Sequence, residues 1–420
     1  MPDVFDPRAP MGEPAVRANE ELPVVDVGPV AHGGHCVARL DGQVVFVRHA
    51  LPGERVRIAV TERSKRFLRA DAVDVLEPSP DRVAAPCPFA GTCGGCDFQH
   101  VSAEGQRRLL AHVVREQLQR LAGIDWDVEV EAVQPETLGW RTRVTYAVDA
   151  SGRAGLRRHR DHTIVPIDFC RIAHRDARSV TAAQWSDGPV EAVVSSSGER
   201  LLVTDAEVPE EELDSLHGVV SRDGALRQGS GTLHEVVHGR MFHVTGSGFW
   251  QVHPRAAETL VDAVLAAAQV RPGDRVLDLY AGAGLFSAFL AEQAGPDGAV
   301  VSVEGARSGH EDARVNLADL ANATAQRAPV EKALARGWLG SSADVVVLDP
   351  PRAGAKAAVA PIAALGARTV VYVACDPAAL ARDLKMFAEH GYDVRSLRAF
   401  ALFPMTHHVE CVAVLAPAER

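Results

Sequence analysis

The spacing of apolar and polar positions divides the chain into three parts. From 23 to 78, short runs alternate apolar with polar residues: Leu22–Val27, Val37–Leu40, Val44–Val47, Arg55–Glu62 and Phe67–Leu76. Period-two alternation predicts half-buried strands, and Asp41-Gly42 between two of them is a hairpin signal. Strands this short and closely spaced predict a small OB-like β-barrel. From 79 to 245 the pattern is mixed. Ser102–Leu121 repeats at helical spacing, with Leu109, Leu110, Val113, Val114, Leu118 and Leu121 on one side. Around it lie strand-like runs at Trp126–Val133, Trp140–Tyr146, Ala192–Ser195, Leu201–Thr204, His234–His238 and Arg240–Thr245. From 246 to 420 strands alternate with turns and helices. Arg275–Tyr280 is a strand, 281–284 a turn and Leu285–Gln293 a helix; further strands follow at Ala299–Glu304, Asp344–Asp349, Thr369–Ala374, Asp393–Phe400 and His408–Leu415. The expected fold class is multidomain α/β: an OB-like barrel, a β-rich central domain and a C-terminal doubly wound, Rossmann-like domain.

At 420 residues the chain has length for two or three cores. Met1 to Leu22 is acidic, contains Pro and lacks an apolar signal-peptide core, so a disordered tail is expected there. No apolar run is long enough to span a membrane, and a cytoplasmic monomer with no membrane partner is expected. The net charge of -11 argues against a nucleic-acid binder. The distribution argues the other way, because 39–69 and 141–175 are locally basic, with Arg63, Lys65 and Arg66 in one and Arg141, Arg143, Arg157, Arg158 and Arg160 in the other.

Seven cysteines in a reduced compartment point to metal or catalysis instead of disulfides. Cys87, Cys93 and Cys96 share one Gly/Pro loop, and Cys170 is the candidate fourth ligand. Four thiolates fit structural zinc or an iron–sulfur cluster. Only one short pair is present where zinc sites commonly use two C-x-x-C knuckles, so the three-plus-one spacing favours [4Fe-4S]. Cys36 reads as barrel core.

In the C-terminal part, Val371–Ala374 is a buried strand that ends in Cys375-Asp376-Pro377, with Pro377 placed to open a helix. Ligands bind at the carboxyl ends of such strands, and a helix N-terminus lowers a thiol pKa. The bland alternative is a small buried hydrophobe. Gly282 and Gly284, after Asp278, let backbone approach a ligand, and Glu304 twenty residues beyond Gly284 can accept from ribose hydroxyls. Ser287 occupies the place of the third glycine of a dinucleotide fingerprint, which favours S-adenosylmethionine over NAD. Asp349 ends another strand, before Pro350-Pro351-Arg352, and Glu410 is a carboxylate opening an apolar strand.

Two resemblances follow. Gly33, Ala38-Arg39-Leu40-Asp41-Gly42, Val45-Phe46-Val47 and Ala50-Leu51-Pro52-Gly53-Glu54 resemble a TRAM domain, a small RNA-binding barrel on RNA-modifying enzymes. Gly248-Phe249-Trp250-Gln251-Val252, Asp278 to Gly284, Asp349 to Gly354, Ala374-Cys375-Asp376-Pro377 and His408-Val409-Glu410 resemble the RNA uracil-5-methyltransferase family. The TRAM-like part and the four cysteines resemble its rRNA-directed members. The resemblance implies that Cys375 is the nucleophile, that Glu410 removes the C5 proton, and that Gln251, Tyr280, Glu304 and Asp349 contact S-adenosylmethionine. Departures are Asp376 for a usual Asn, Ala374 for Ser, Leu285 for Asn and Tyr280-Ala281 for Phe-Cys. The alternatives are a tRNA uracil-5-methyltransferase, an RNA cytosine-5-methyltransferase (whose D-A-P-C type motif is absent) and a non-catalytic RNA-binding protein.

The chemistry is coherent independently. C5 of uracil is too weak a nucleophile for a sulfonium methyl until a thiolate adds at C6. A base must then remove the C5 proton before the thiol leaves.

Overall fold

The computed structural model describes residues 22–419, so the expected tail lies outside the described residues except for Leu22. Strands β1 (Val24–Asp26), β2 (Cys36–Leu40), β3 (Gln43–Arg48), β4 (Arg55–Arg63) and β5 (Phe67–Glu77) form one sheet in the order β1-β4-β5-β3-β2. The expected closed barrel is not formed, because β1 and β2 remain edge strands. The two edges lie near each other, and the chain just after β1 bonds to β2, through Gly28 N to Val37 O at 2.7 Å and Val37 N to Pro29 O at 2.9 Å, with a bridge between Val30 and Cys36. Asp41 and Gly42 both take positive φ in the tight turn between β2 and β3.

Helix α1 (Ala103–Gln117) starts where Ser102 Oγ accepts from Gly105 N, and continues as a π-helical turn over Leu118–Ala122. Strand β6 (Val130–Glu131) is all that forms of the expected 126–133 strand. The central sheet contains β7 (Arg143–Val148), β8 (Ala154–Arg157), β9 (Ile164–Pro166), β10 (Val190–Val194), β11 (Arg200–Val203), β12 (Gly218–Val220) and β13 (Leu226–Gly229), with a short helix α2 (Glu210–Leu213) between β11 and β12. Strands β14 (Thr232–Val237) and β15 (Arg240–Thr245) pair as a separate hairpin.

The C-terminal part runs α3 (Ala256–Ala268), β16 (Arg275–Leu279), α4 (Leu285–Ala294), β17 (Ala299–Glu304), α5 (Arg307–Asn316), β18 (Ala323–Arg327), α6 (Val330–Ala335), β19 (Val345–Leu348), α7 (Val359–Ala364), β20 (Thr369–Ala374), α8 (Pro377–Glu389), β21 (Tyr392–Phe400) and β22 (Glu410–Pro417). Its eight-stranded sheet has the order β18-β17-β16-β19-β20-β22-β21-β6, with β22 antiparallel to both neighbours. The sheet is therefore mixed, and β6 pairs parallel with β21 at its edge. Of the segment 103–131, expected in the central domain, α1 and the turn after it pack against α8, and β6 joins the C-terminal sheet. A single apolar core runs from Val45, Val47 and Ile58 of the first sheet through Leu110 and Val114 of α1 to Leu380 and Leu384 of α8. Glu54, almost fully buried, accepts Arg82 Nε at 2.5 Å and Nη2 at 2.7 Å, which fastens the first sheet to the segment that follows.

Candidate functional site

A cavity of about 880 Å³ opens at the carboxyl ends of β16, β17, β19 and β20. That end of an open α/β sheet presents loops and helix N-termini, which is why it holds ligands. Tyr280 and Gly282 turn the chain after β16 with φ of 61° and 53°. Gly309 of α5 lies against this turn; a Cβ there would stand 3.3 Å from Gly282 C. Glu304 Oε2 accepts Gly282 N at 2.9 Å and Oε1 accepts Ala306 N at 2.5 Å. A carboxylate has about four acceptor positions, so two remain for ligand hydroxyls. Tyr280 donates its hydroxyl to Glu331 at 2.7 Å, and Glu331 also lines the cavity.

Gln251, Tyr280, Gly282, Glu304, Asp349, Cys375 and Glu410 line the same cavity. Asp278 and Gly284 lie behind the wall. Asp278 is fully buried and accepts from Ser287 Oγ at 2.5 Å, and Gly284 packs against Ala313. Their part is to shape the turn.

Cys375 follows β20 and Glu410 opens β22. In the antiparallel register Ala374 pairs with Cys411, which sets Cys375 and Glu410 side by side at one edge. Cys411 is fully buried in the apolar core, whereas Glu410 lines the cavity. Burial pushes the Cys375 thiol up to about 12, and Glu410, Asp349 and Asp376 add to it against the opposing charge of Arg352. Burial and these carboxylates oppose the lowering expected from the α8 N-terminus. Asp376 itself caps that terminus, Oδ1 accepting Ala379 N at 2.8 Å, so the nearest carboxylate offsets the helix dipole. Burial and then Asp349 raise Glu410 well above the usual carboxylate range. Burial and Asp278 raise Asp349 to about 7. Without ligand, the floor of the cavity holds protons that a cation would displace.

Two contacts bring distant segments to this floor. Asp376 Oδ2 lies 3.1 Å from Nε2 of His32, in the turn before β2. Asp97, directly after Cys96, binds His407 Nδ1 at 2.6 Å and accepts His407 N at 3.1 Å. Asp97 N and Phe98 N both donate to Met405 O, at 2.8 and 3.0 Å. The cysteine loop therefore clamps the 403–409 segment that delivers Glu410. Trp140, Phe249 and Phe403 add an aromatic wall; Phe249 is 68 % exposed and the Trp140 indole N–H has no partner.

Cys87, Cys93, Cys96 and Cys170 line a second cavity of about 100 Å³. Gly95 N lies 3.4 Å from Cys93 Sγ and Gln99 Nε2 lies 3.3 Å from Cys96 Sγ, donors suited to thiolates. Gly94 is required here, since a Cβ would stand 2.6 Å from His159 N. No three of these sulfurs lie within 4.8 Å of one another. Among the described residues the four sulfurs therefore do not form a closed metal-ligand cluster.

The basic stretches are partly used internally. Arg143 donates to Gly246 O at 2.9 Å and to Gly248 O, holding the segment after β15 that carries Gln251. Arg55, Arg57 and Arg69 face Glu77, Asp74 and Glu62. Arg63, Lys65, Arg66, Arg157, Arg158 and Arg160 are exposed.

Residues 21–73 match the TRAM domain model, 339–417 the tRNA (uracil-5-)-methyltransferase model, and 254–344 the protein-L-isoaspartate (D-aspartate) O-methyltransferase model. The last span ends before Asp349 and so covers the cofactor turn without the cysteine. An RNA methyltransferase of Streptomyces avermitilis with no assigned target is 50% identical, over 94% of this chain and 98% of its own. The 23S rRNA (uracil(1939)-C(5))-methyltransferase RlmD of Alkalilimnicola ehrlichii is 32% identical, over 96% and 98%. The fold is that of the Pyrococcus abyssi tRNA (uracil-54, C5)-methyltransferase solved with S-adenosyl-L-homocysteine, with a TM-score of 0.72 at 23% identity over 93% of this chain and 100% of that one. Identity at this level over nearly the whole length, together with the two terminal domain matches, makes the chain a member of the S-adenosylmethionine-dependent RNA uracil-5-methyltransferase family.

Proposed function

We propose that the protein, a cytoplasmic monomer, methylates C5 of one uridine in 23S rRNA, with Cys375 as nucleophile and Glu410 as the base. The observation that carries this reading is the convergence of Cys375 and Glu410 at adjacent strand ends in the cavity that Gln251, Tyr280, Glu304 and Asp349 also line. Cys375 Sγ adds to C6, and the C5–C6 π pair moves onto C5 and its carbonyl. C5 takes the methyl group, and the sulfonium of S-adenosylmethionine becomes a neutral thioether. Glu410 removes the C5 proton, the C6–S bond breaks, and the pair restores the double bond. Gln251, Tyr280, Glu304 and Asp349 hold the methyl donor, and the carboxylates near Cys375 favour its positive charge. The rRNA target is supported by the likeness to the RlmD relative. The exposed cations of the TRAM sheet and of the β8–β9 turn contact phosphates. Cys87, Cys93, Cys96 and Cys170 hold a [4Fe-4S] cluster that closes a long loop; its part is to fix the segment around Asp97.

The test is a map of 5-methyluridine in RNA from cells with and without the gene. Loss at one 23S position supports the reading. Loss in tRNA with rRNA unchanged overturns the target, and unchanged 5-methyluridine with lost 5-methylcytidine overturns the reaction.

A further inference from the structure

A second set of ligand-type side chains lies outside both cavities. Glu199 immediately precedes β11, His217 immediately precedes β12, and His234 belongs to β14. One donor atom from each falls within 4.8 Å of the other two. His234 Nδ1 is 2.8 Å from Glu199 Oε1, and His217 Nε2 is 3.6 Å from the same oxygen. The backbone holds each in place: His217 N donates to Arg200 O at 2.7 Å, Ser230 N donates to His217 O at 3.0 Å, and His234 N donates to Glu199 Oε2 at 2.6 Å. The His243 ring, opposite His234 in the hairpin register, closes one side with its centroid 4.7 Å away.

A hydrogen-bonded His–Glu pair accounts for Glu199 and His234, whereas His217 has only a longer ion-pair contact with Glu199, at 3.6 Å. Its Nε2 is buried and has no hydrogen-bond partner, a state proteins rarely leave unexplained. Two imidazoles and one carboxylate around one point are the donor set of an open zinc-type site, three protein ligands with water in the fourth position. Imidazole donors suit zinc and its late first-row neighbours, not magnesium or calcium.

We propose that Glu199, His217 and His234 bind one divalent transition-metal ion, zinc by donor preference. On binding, the His234 proton moves from Nδ1 to Nε2 and the Nδ1 lone pair turns to the metal; His217 supplies its free Nε2 pair. The ion ties the outer strands of the central sheet to the β14–β15 hairpin. That hairpin leans on α5, where Asn316 Oδ1 accepts His243 N at 2.7 Å and Asn316 Nδ2 donates to both His243 O and Ala283 O at 2.9 Å. Ala283 lies in the turn after β16, so the ion braces the methyl-donor pocket from outside.

The test uses full-length protein with its cysteine centre intact, titrated with Co²⁺ and followed by its visible spectrum. The expected result is one equivalent with weak d–d bands and no thiolate charge-transfer band, lost by at least about tenfold in affinity in His217→Gln and Glu199→Gln. Wild type should also gain thermal stability with Zn²⁺, and neither variant should. Circular dichroism in EDTA, unchanged between wild type and the variants, confirms that both fold. Thiolate-type bands only, no binding at micromolar Co²⁺, or wild-type affinity in both variants overturns the proposal.

Discussion

On the proposed mechanism, a protonated cavity floor gives the charge of the methyl donor a part in forming the Cys375 thiolate. With the Cys375 pKa near 12, about one thiol in 10⁴ is ionised at pH 8. A sulfonium placed at an assumed separation of about 5 Å, at an effective dielectric of about 20, would favour the thiolate by about 3.3 kcal/mol. At 1.36 kcal/mol per unit this lowers the pKa by about 2.4 and raises the thiolate fraction at pH 8 about 250-fold. The thiolate is the reactive form, so the rate of Cys375 alkylation by iodoacetamide reports it directly. The comparison is S-adenosylmethionine against S-adenosylhomocysteine, which fills the same space less one methyl and carries no sulfonium. Alkylation, read by mass spectrometry on the Cys375 peptide, should run about two orders of magnitude faster with the cationic ligand. The midpoint of its pH profile should fall from near 12 to between 9 and 10. The fully buried Cys411 serves as the unreactive internal control. Equal rates with the two ligands, or rapid alkylation of the free enzyme near pH 7, would refute the argument that burial and carboxylates hold the thiol protonated.

Glu410→Gln should still add the thiolate and accept the methyl, then stall as a denaturation-resistant, methylated protein–RNA adduct, with turnover lowered about 10²- to 10⁴-fold; Cys375→Ala should give no adduct, and the reverse pattern on a denaturing gel rejects the roles. Cys170→Ser should remove iron from anaerobically purified protein and lower its melting temperature, and zinc alone in wild type grown with ample iron rejects the cluster. Asp97→Asn should cost about 1–3 kcal/mol at pH 7 in denaturant melts through loss of the His407 bond. Burial raises the Asp97 pKa, but the His407 bonds outweigh it and leave it below the usual carboxylate value. Its contribution is therefore present above about pH 4 and lost as pH falls through the folded value, so the wild-type advantage should close in acid; an unchanged advantage there rejects the pairing.

Much of the C-terminal sheet is legible because its buried parallel strands are continuous apolar runs that end at chemically marked residues: Leu279 before Tyr280, Val303 before Glu304, Leu348 before Asp349 and Ala374 before Cys375. Strand β18 is not legible. Ala323 to Arg327 has no apolar run, and as an edge strand it needs none. Strand β6 is two residues long and owes its existence to the β21 edge beside it. Barrel closure fails for a similar reason: alternation fixes which residues face inward, but not whether the first and last strands meet. The cavity residues that escape a reading of the sequence are those defined by a remote partner. Glu331 matters through Tyr280, and Asp97 through His407, 310 positions away. Neither has a local signal.

Asp376 shows how a departure visible in the sequence acquires its meaning only in three dimensions. A carboxylate in place of an amide next to Cys375 adds negative charge where the proposed chemistry needs a thiolate. The structure gives that charge two occupations. One oxygen satisfies an otherwise orphan N–H at the start of α8, which an amide oxygen would do as well. The other meets His32 from the TRAM sheet, which an amide would do more weakly, because the His32 pKa is raised chiefly by its bond to Asp376. The acid at this position therefore makes sense as one half of an interdomain pair. The turn before β2 touches the residue adjoining Cys375, and the TRAM sheet shares its apolar core with α1 and α8. It is thus built against the cavity that Cys375 and Glu410 line.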